Sequence, residues 1–308
     1  MSRLLAYLQL FRLPNVFTAA ADVLMGYLVT QPSLERWQVV APLVAASCLL
    51  YTAGMVLNDA FDVDIDARER PERPIPSGRI SLRTAKLLGY ELLVLGVACG
   101  WIAGANDGDG QYRTPLVALA LAATVWLYDR VLKRTPIGPL GMGACRFLNV
   151  LLGMSTAAEW LPAHWLIAAG IGIYVVGVTW FARTEAEESN RGHLVAATAV
   201  MAAGIGLLAW LPAWDLDALR GDKPAAFALG SSWYVMWLLL SASIGHRCVR
   251  AILSPSPVRV QMAVRHAIIS LIVLDAAVTF GVRGLPSAIT IVLLLIPTVF
   301  LGRWVYST

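Results

Sequence analysis

Apolar stretches of about 20 residues recur along this chain from end to end, and no other feature restricts its fold as tightly. A hydrocarbon core about 30 Å thick takes roughly 20 residues of helix, since each residue advances about 1.5 Å. Windows of this kind fall near residues 14–31, 38–58, 84–104, 115–132, 139–158, 164–183, 193–212, 226–245, 262–281 and 286–303. A short Val282-Arg283-Gly284-Leu285-Pro286 turn separates the last two, so one of them can be re-entrant or interfacial, and nine or ten spans are expected. The polar interruptions are too short for a large soluble domain. With 58% hydrophobic and 14% charged residues, and a mean hydropathy of +0.66, the chain has too little charge to cover a soluble surface. The expectation is an all-α, polytopic transmembrane helical bundle forming a single domain over residues 1–308.

The basic residues orient this bundle. A net charge of +4 and a pI near 9.0 raise the question of nucleic acid, but the basic residues are scattered over loops, which argues for no nucleic-acid partner. With the N-terminus inside, 18 Lys and Arg fall in inside loops, from Arg3 and Arg12 to Arg303. Only 5, namely Arg36, Arg113, Arg220, Lys223 and Arg283, fall outside. Short cytoplasmic loops carry such an excess, so a multi-pass protein of the cell (inner) membrane with a cytoplasmic N-terminus is expected. Segments 59–83, 129–138 and 183–192 then share the cytoplasmic face. Arg3 and Arg12 ahead of an apolar run resemble a signal peptide, but no small-residue cleavage site follows, and the first helix is expected to stay. Cys48, Cys99, Cys145 and Cys248 lie far apart with no C-x-x-C pair, and read as small buried residues.

The chemistry gathers where the second span ends, in Asn58-Asp59-Ala60-Phe61-Asp62-Val63-Asp64-Ile65-Asp66. On a helix Asn58, Asp59, Asp62 and Asp66 share one face. Acids at that spacing repel, and a compensating cation is needed. Mg²⁺ suits the place, because it takes one or two carboxylates together with waters and phosphate oxygens. A solvated acidic loop, or salt bridges to the arginines downstream, would also account for the spacing. Next comes Arg68-Glu69-Arg70-Pro71-Glu72-Arg73-Pro74-Ile75-Pro76-Ser77-Gly78-Arg79-Ile80-Ser81. Its prolines resist helix and favour an ordered loop folded back over the acids. Arg73 and Arg79 could then meet phosphate with bidentate forks, unless they serve only as topology arginines.

Asn-Asp-x-x-Asp followed by Arg-Pro-x-Pro-Ser-Gly-Arg-Ile-Ser resembles the first signature of the UbiA superfamily of intramembrane prenyltransferases. The opening Arg12-Leu13-Pro14-Asn15 is similar to the family's start, and Asp66 to Arg79 with Leu127-Tyr128-Asp129-Arg130 most resembles EboC-type members. The resemblance implies a bundle around a central cavity that opens at the cytoplasmic face. It also implies Mg²⁺-dependent transfer of an isoprenyl group from a prenyl diphosphate to a lipid-soluble, aromatic acceptor among membrane lipids. Asn58, Asp59, Asp62, Asp66, Glu185 and Glu188 form the implied catalytic set, with Asp59, Asp62, Asp66, Glu185 and Glu188 as metal ligands. Asn15, Arg73, Arg79, Tyr128, Lys133, Arg134, Arg146 and Asn149 are the implied substrate-binding residues.

Lys133 and Arg134 follow Tyr128 as the family's Lys-Arg pair does, which implies contact with the diphosphate. Arg146 and Asn149 sit three apart inside an apolar run, where a charge costs at least about 2.5 kcal/mol, so they are expected to face the cavity or to pair with Glu91, Asp22 or Asp275. The second acidic segment departs from the family's paired aspartates. It reads Glu185-Ala186-Glu187-Glu188-Ser189, with Glu185 at the first position, Ser189 at the second and Glu188 a turn after Glu185. Trp126, Trp180 and Phe181 are candidates to shelter an allylic cation. Two other classes stay open: a family member that has lost catalysis and serves as a prenyl-lipid scaffold, and a transporter using Asp22, Glu91, Arg146 and Asp275 as a relay.

Overall fold

The computed structural model describes residues 3–108, 112–184, 189–213, 219 and 230–303, and all regular structure among them is helical. A short α1 (Arg3–Leu10) precedes α2 (Leu13–Thr30), α3 (Trp37–Phe61), a short continuation α4 (Val63–Glu69), and α5 (Leu82–Asp107). Then follow α6 (Arg113–Arg130), α7 (Gly138–Met154), α8 (Pro162–Phe181), α9 (Arg191–Ala209), α10 (Ser231–Leu253) and α11 (Pro257–Arg283). The chain closes with α12 (Leu285–Val292) and α13 (Leu295–Leu301).

Each of the first nine expected spans has a helix at its place, and seven of these helices are long and apolar enough to cross a membrane. Their ends moved by a few residues. The tenth window is broken: Pro297 lacks an N–H and its ring crowds the carbonyl four residues back, so two short helices replace one. The long helices form a ring in which α2 packs on α3, α3 on α5 and α6, α6 on α7, and α7 on α8. α8 packs on α9, α9 on α10, α10 on α11, and α11 returns to α2. Helix α2 also crosses α7 inside this ring.

That crossing depends on glycine. A Cβ built on Gly26 would stand 2.4 Å from the Val150 carbonyl oxygen, and one on Gly153 would stand 2.2 Å from the Val23 carbonyl oxygen. The backbones of α2 and α7 therefore touch, as small residues allow between membrane helices. This contact brings Thr18 and Asp22 of α2 against Arg146 and Asn149 of α7.

The two ends of the bundle differ in chemistry. At one end Arg36 pairs with Asp107 at 2.9 Å, and Arg113 donates to the Ala157 and Ala158 carbonyls. At the other end lie the α3–α5 connection and the α6–α7 turn. Arg183, after α8, donates to the Thr135 and Pro136 carbonyls at the same end. The three segments that the charge pattern grouped are thus neighbours.

Candidate functional site

The site begins where α3 stops. Asp62 sits between α3 and α4 at φ −98° and ψ 9°, yet its N–H still reaches the Asn58 carbonyl and its own carbonyl takes the Asp66 N–H at 2.8 Å. The helical path therefore continues almost unbroken, but the four polar residues do not act as one face. Asp59 and Asp66 converge: Arg73 Nη1 donates to Asp66 at 2.9 and 3.0 Å and to Asp59 Oδ1 at 3.4 Å. Asp62 turns elsewhere, accepting from Lys133 Nζ at 2.6 Å and from Arg134 at 3.2 Å. Asn58 faces a third way, its amide donating to Asp129 Oδ1 at 3.1 Å.

The Pro-rich segment folds back as expected. Its chain is held by Ser77 N–H to the Arg73 carbonyl and by Ile80 N–H to the Pro74 carbonyl, with Gly78 at φ 73° completing the turn. Ile75 and Ile80 bury against Ala6 and Leu10 of α1 and Val56 and Ala60 of α3, and Ser81 caps α5 by accepting the Thr84 N–H. This packing aims Arg73 at the acids. Arg79 is used differently from the expectation: it donates to Gln9, to Ser77 and to the Glu72 carbonyl, which braces the loop on α1.

Arg12, counted in the sequence among the topology charges and in the Arg12-Leu13-Pro14-Asn15 opening but not among the site residues, completes the cluster. It donates to Asp59 Oδ1 at 3.0 Å from a left-handed backbone position, φ 46°, where a non-glycine residue is strained. Nearby strain of this kind marks a residue held in place by its surroundings. Burial lifts the Asp66 carboxyl above the ordinary carboxylate value, Arg73 offsets part of the rise, and the charges of Asp59 and Asp62 add to it. Two carboxylates converging on one cationic nitrogen fit a single Mg²⁺ held with water and phosphate oxygens. Among the described residues there is no group of three or more His, Cys, Asp or Glu placed to hold a metal. Glu185 and Glu188 lie outside the described residues; their neighbours Ala182–Thr184 and Ser189 stand at this same end.

Behind the acids a cavity of about 460 Å³, counting its mouth, opens among α2, α3, α6 and α7. Leu50, Met55, Leu121, Val125 and Met142 give it apolar walls, and Tyr128 and Asp129 stand at the acid end. Along α3 it runs from Gly54 and Met55 to Ser47, and Asn58 to Ser47 is about 16 Å of helix. Arg146 and Asn149 line it, and both are also paired. Arg146 donates to Asp22 Oδ2 at 2.7 Å and Thr18 Oγ1 at 2.8 Å, and stacks 5.1 Å from the Tyr51 ring centroid. Asn149 donates to Asp22 and to the Ala19 carbonyl, and accepts from Ser47. Asn15, near the start of α2, accepts at its carbonyl from Thr18 Oγ1 at 2.7 Å and is not among the residues lining the cavity.

Two expectations change. Trp126 points out of the bundle, and Phe181 lines a separate small pocket with Met201 and Cys248, so neither reaches the cavity; Tyr51 and Tyr128 are its aromatic residues. Glu91 is exposed on the outer side of α5, apart from the Asp22–Arg146 group, so the four charges of the relay do not form one chain. Arg12, Tyr51 and Asp129 were missed as site residues. Only Asp129 carried a local signal, being an acid beside Tyr128 at a helix end.

A family model described as the UbiA prenyltransferase family matches residues 19–256. Digeranylgeranylglyceryl phosphate synthase of Methanopyrus kandleri is 35% identical over 167 residues, covering 52% of this chain and 56% of that protein. The enzyme of the same name from Metallosphaera sedula is 36% identical over 169 residues, 52% of this chain and 55% of the relative. The match therefore spans about half the length of these curated relatives. Among solved structures, one described as digeranylgeranylglyceryl phosphate synthase in membranes superposes with a TM-score of 0.63 at 20% identity, covering 92% of this chain and all of the other. A UbiA homolog from Archaeoglobus fulgidus bound to GPP and Mg²⁺ gives 0.57 at 16% identity over 86% of this chain and 99% of that one. These structural likenesses carry the fold, and the family match extends over most of the sequence, including the acids of α3, the Arg73 loop and the cavity wall: the chain is an integral membrane protein that belongs to the UbiA prenyltransferase family.

Proposed function

We propose that the chain is a Mg²⁺-dependent prenyltransferase, a single transmembrane domain over residues 1–308 that moves an isoprenyl group from a prenyl diphosphate to a lipid-soluble acceptor. One observation carries the reading: Asp59 and Asp66 converge on a single cationic nitrogen at the mouth of an apolar cavity, with Lys133 and Arg134 beside them. Asp59 and Asp66 hold the metal, with Asp62 near them and Glu185 and Glu188 proposed for a second position. Mg²⁺ there supplies positive charge for the leaving diphosphate.

The chain's own residues do the rest. Lys133 and Arg134, set by Asp62, would meet diphosphate oxygens, with Arg73 on the neighbouring acids as a further cation for phosphate. The cavity accepts the apolar tail and keeps water from the reactive carbon, while Tyr51 and Tyr128 present their rings to positive charge that develops there. Arg146 and Asn149 shape the inner end. Arg79 supports the site through the loop it braces. The relatives' name, a synthase of a glyceryl phosphate carrying two geranylgeranyl groups, favours a lipid alcohol over the aromatic acceptor expected from the sequence.

The excess of Lys and Arg at the acid end supports a cytoplasmic site in the inner membrane. Tyr112→Cys should then label from outside the cell, and labelling only from the cytoplasm overturns the orientation. For the reaction, purified protein is given labelled prenyl diphosphates of several lengths, Mg²⁺ and a membrane-lipid extract. A labelled lipid product is expected. Failure of every donor to give product contradicts the proposal, and mass spectrometry of lipids accumulating in a deletion strain identifies the acceptor.

A further inference from the structure

Prenyl transfer, on which this inference rests, leaves one proton to be placed. As the acceptor atom bonds to the first carbon of the isoprenyl group, the carbon–oxygen bond to diphosphate breaks and its electron pair leaves with the diphosphate. The attacking atom, a hydroxyl oxygen or an aromatic carbon, loses its hydrogen as a proton. A base must stand where that atom stands. With diphosphate at Lys133 and Arg134 and the tail in the cavity, the reacting carbon lies at the boundary between them, which Asn58, Gly54 and Asp129 form.

Asp129 is 1% exposed and is the one carboxylate among the described residues lining the cavity. Its Oδ1 accepts from Asn58, whereas its Oδ2 has no hydrogen-bond partner among the described residues. A buried polar atom left without a partner is costly, so it calls for an explanation. Gly54 supplies one: a Cβ there would stand 3.6 Å from this oxygen and 3.0 Å from Val125 Cγ1, so the absent side chain keeps the approach open. The groups facing Asp129 are Asn58, Asp62, Lys133, Arg12, Tyr128 and Cys145. The other buried acid nearby, Asp22, is not among the residues lining the cavity, and its Oδ2 is bonded to Arg146 and Asn149.

We propose that Asp129 is the catalytic residue that receives the acceptor's proton, on Oδ2, as the new bond forms. Asn58 holds the carboxylate by its other oxygen, so the free oxygen faces the reacting atoms.

The test uses Asp129→Asn, which keeps the shape and cannot take the proton, and Gly54→Ala, which places a methyl before Oδ2 and leaves the carboxylate intact. General-base removal costs about 100-fold or more, so kcat for lipid product should fall that far in Asp129→Asn. Mg²⁺-dependent binding of labelled donor should stay within about threefold, because the base acts only in the transition state. Gly54→Ala should likewise slow transfer with donor binding kept. Asp129→Asn turning over within about threefold of the parent overturns the assignment. So does loss of donor binding in Asp129→Asn with transfer by Gly54→Ala unchanged, which would place Asp129 in the donor site. A parent protein that binds no donor defeats the underlying prenyl-transfer reading and this inference with it; a parent that turns over alongside two equally active variants defeats only this inference.

Discussion

Replacing Arg146 by methionine isolates the polar joint between α2 and α7. In the structure one guanidinium nitrogen sits 2.7 Å from Asp22 Oδ2 and the other 2.8 Å from Thr18 Oγ1, and the Asp22 side chain is fully buried. Asp275, also fully buried, faces the same carboxylate from α11 and has no cation of its own among the described residues. Methionine fills the stem's volume and removes the charge, leaving two carboxyl groups against each other inside the bundle. Breaking a buried pair from one side costs about 3–5 kcal/mol, and because methionine keeps the packing of the stem the lower end, about 3 kcal/mol, is expected. For a domain of roughly this size each kcal/mol moves the melting temperature about 2–4 °C, so Arg146→Met should melt roughly 6–12 °C lower. Thermal melting in detergent measures this directly. Adding Asp22→Asn should recover at least half of the loss, since the two residues touch and their effects cannot add. A single variant melting within about 2 °C of the parent, or a double variant no better than the single, would refute the reasoning.

Gly153→Ala would set a methyl 2.2 Å from the Val23 carbonyl oxygen, and should cost about 1–3 kcal/mol of stability in the same melting experiment. Asp62→Ala frees Lys133 and Arg134 and should weaken Mg²⁺-dependent donor binding by tenfold or more, each lost charged hydrogen bond being worth about 1.5–3 kcal/mol. Unchanged donor affinity in equilibrium binding would mean that the wrong carboxylates have been assigned. Asp66 gives a pH dependence with a definite sign. Its folded-state value lies above the ordinary one, so its proton favours the folded state at low pH, and this contribution is lost as pH rises through the raised value. Added Mg²⁺ should therefore raise the melting temperature more at pH 7 than near pH 4, and an equal rise at both would remove Asp66 from the metal site.

Much of the architecture was readable because lipid imposes a length and a periodic apolar surface on every span. The break at Pro297 was not read, since a proline near a chain's last apolar window signals a stop as readily as a kink. At the site, Asn58, Asp59, Asp62 and Asp66 were found as a cluster because their spacing is local. How they divide was not legible: Asp59 and Asp66 meet on Arg73, Asp62 on Lys133, and Asn58 on Asp129. Those partners come from 7 to 71 residues away, through the packing of Ile75 and Ile80 and the α6–α7 turn. Arg12 was hidden for the same reason, one basic residue among the 24 Lys and Arg of the chain, distinguished only by its three-dimensional approach to Asp59. Arg79 shows the converse. Its place in the motif pointed to phosphate, yet its side chain is spent on Gln9, Ser77 and the Glu72 carbonyl.

The proposed function requires that the acids after α3 hold a metal on which a prenyl diphosphate binds. Equilibrium binding of a labelled isoprenyl diphosphate to the purified protein, with Mg²⁺ and then with EDTA, tests it most directly. Saturable binding in Mg²⁺ that disappears in EDTA, and is absent from Asp59→Asn/Asp66→Asn in either condition, is the predicted result. Binding that is indifferent to EDTA, or no binding of any donor length in Mg²⁺, would contradict it.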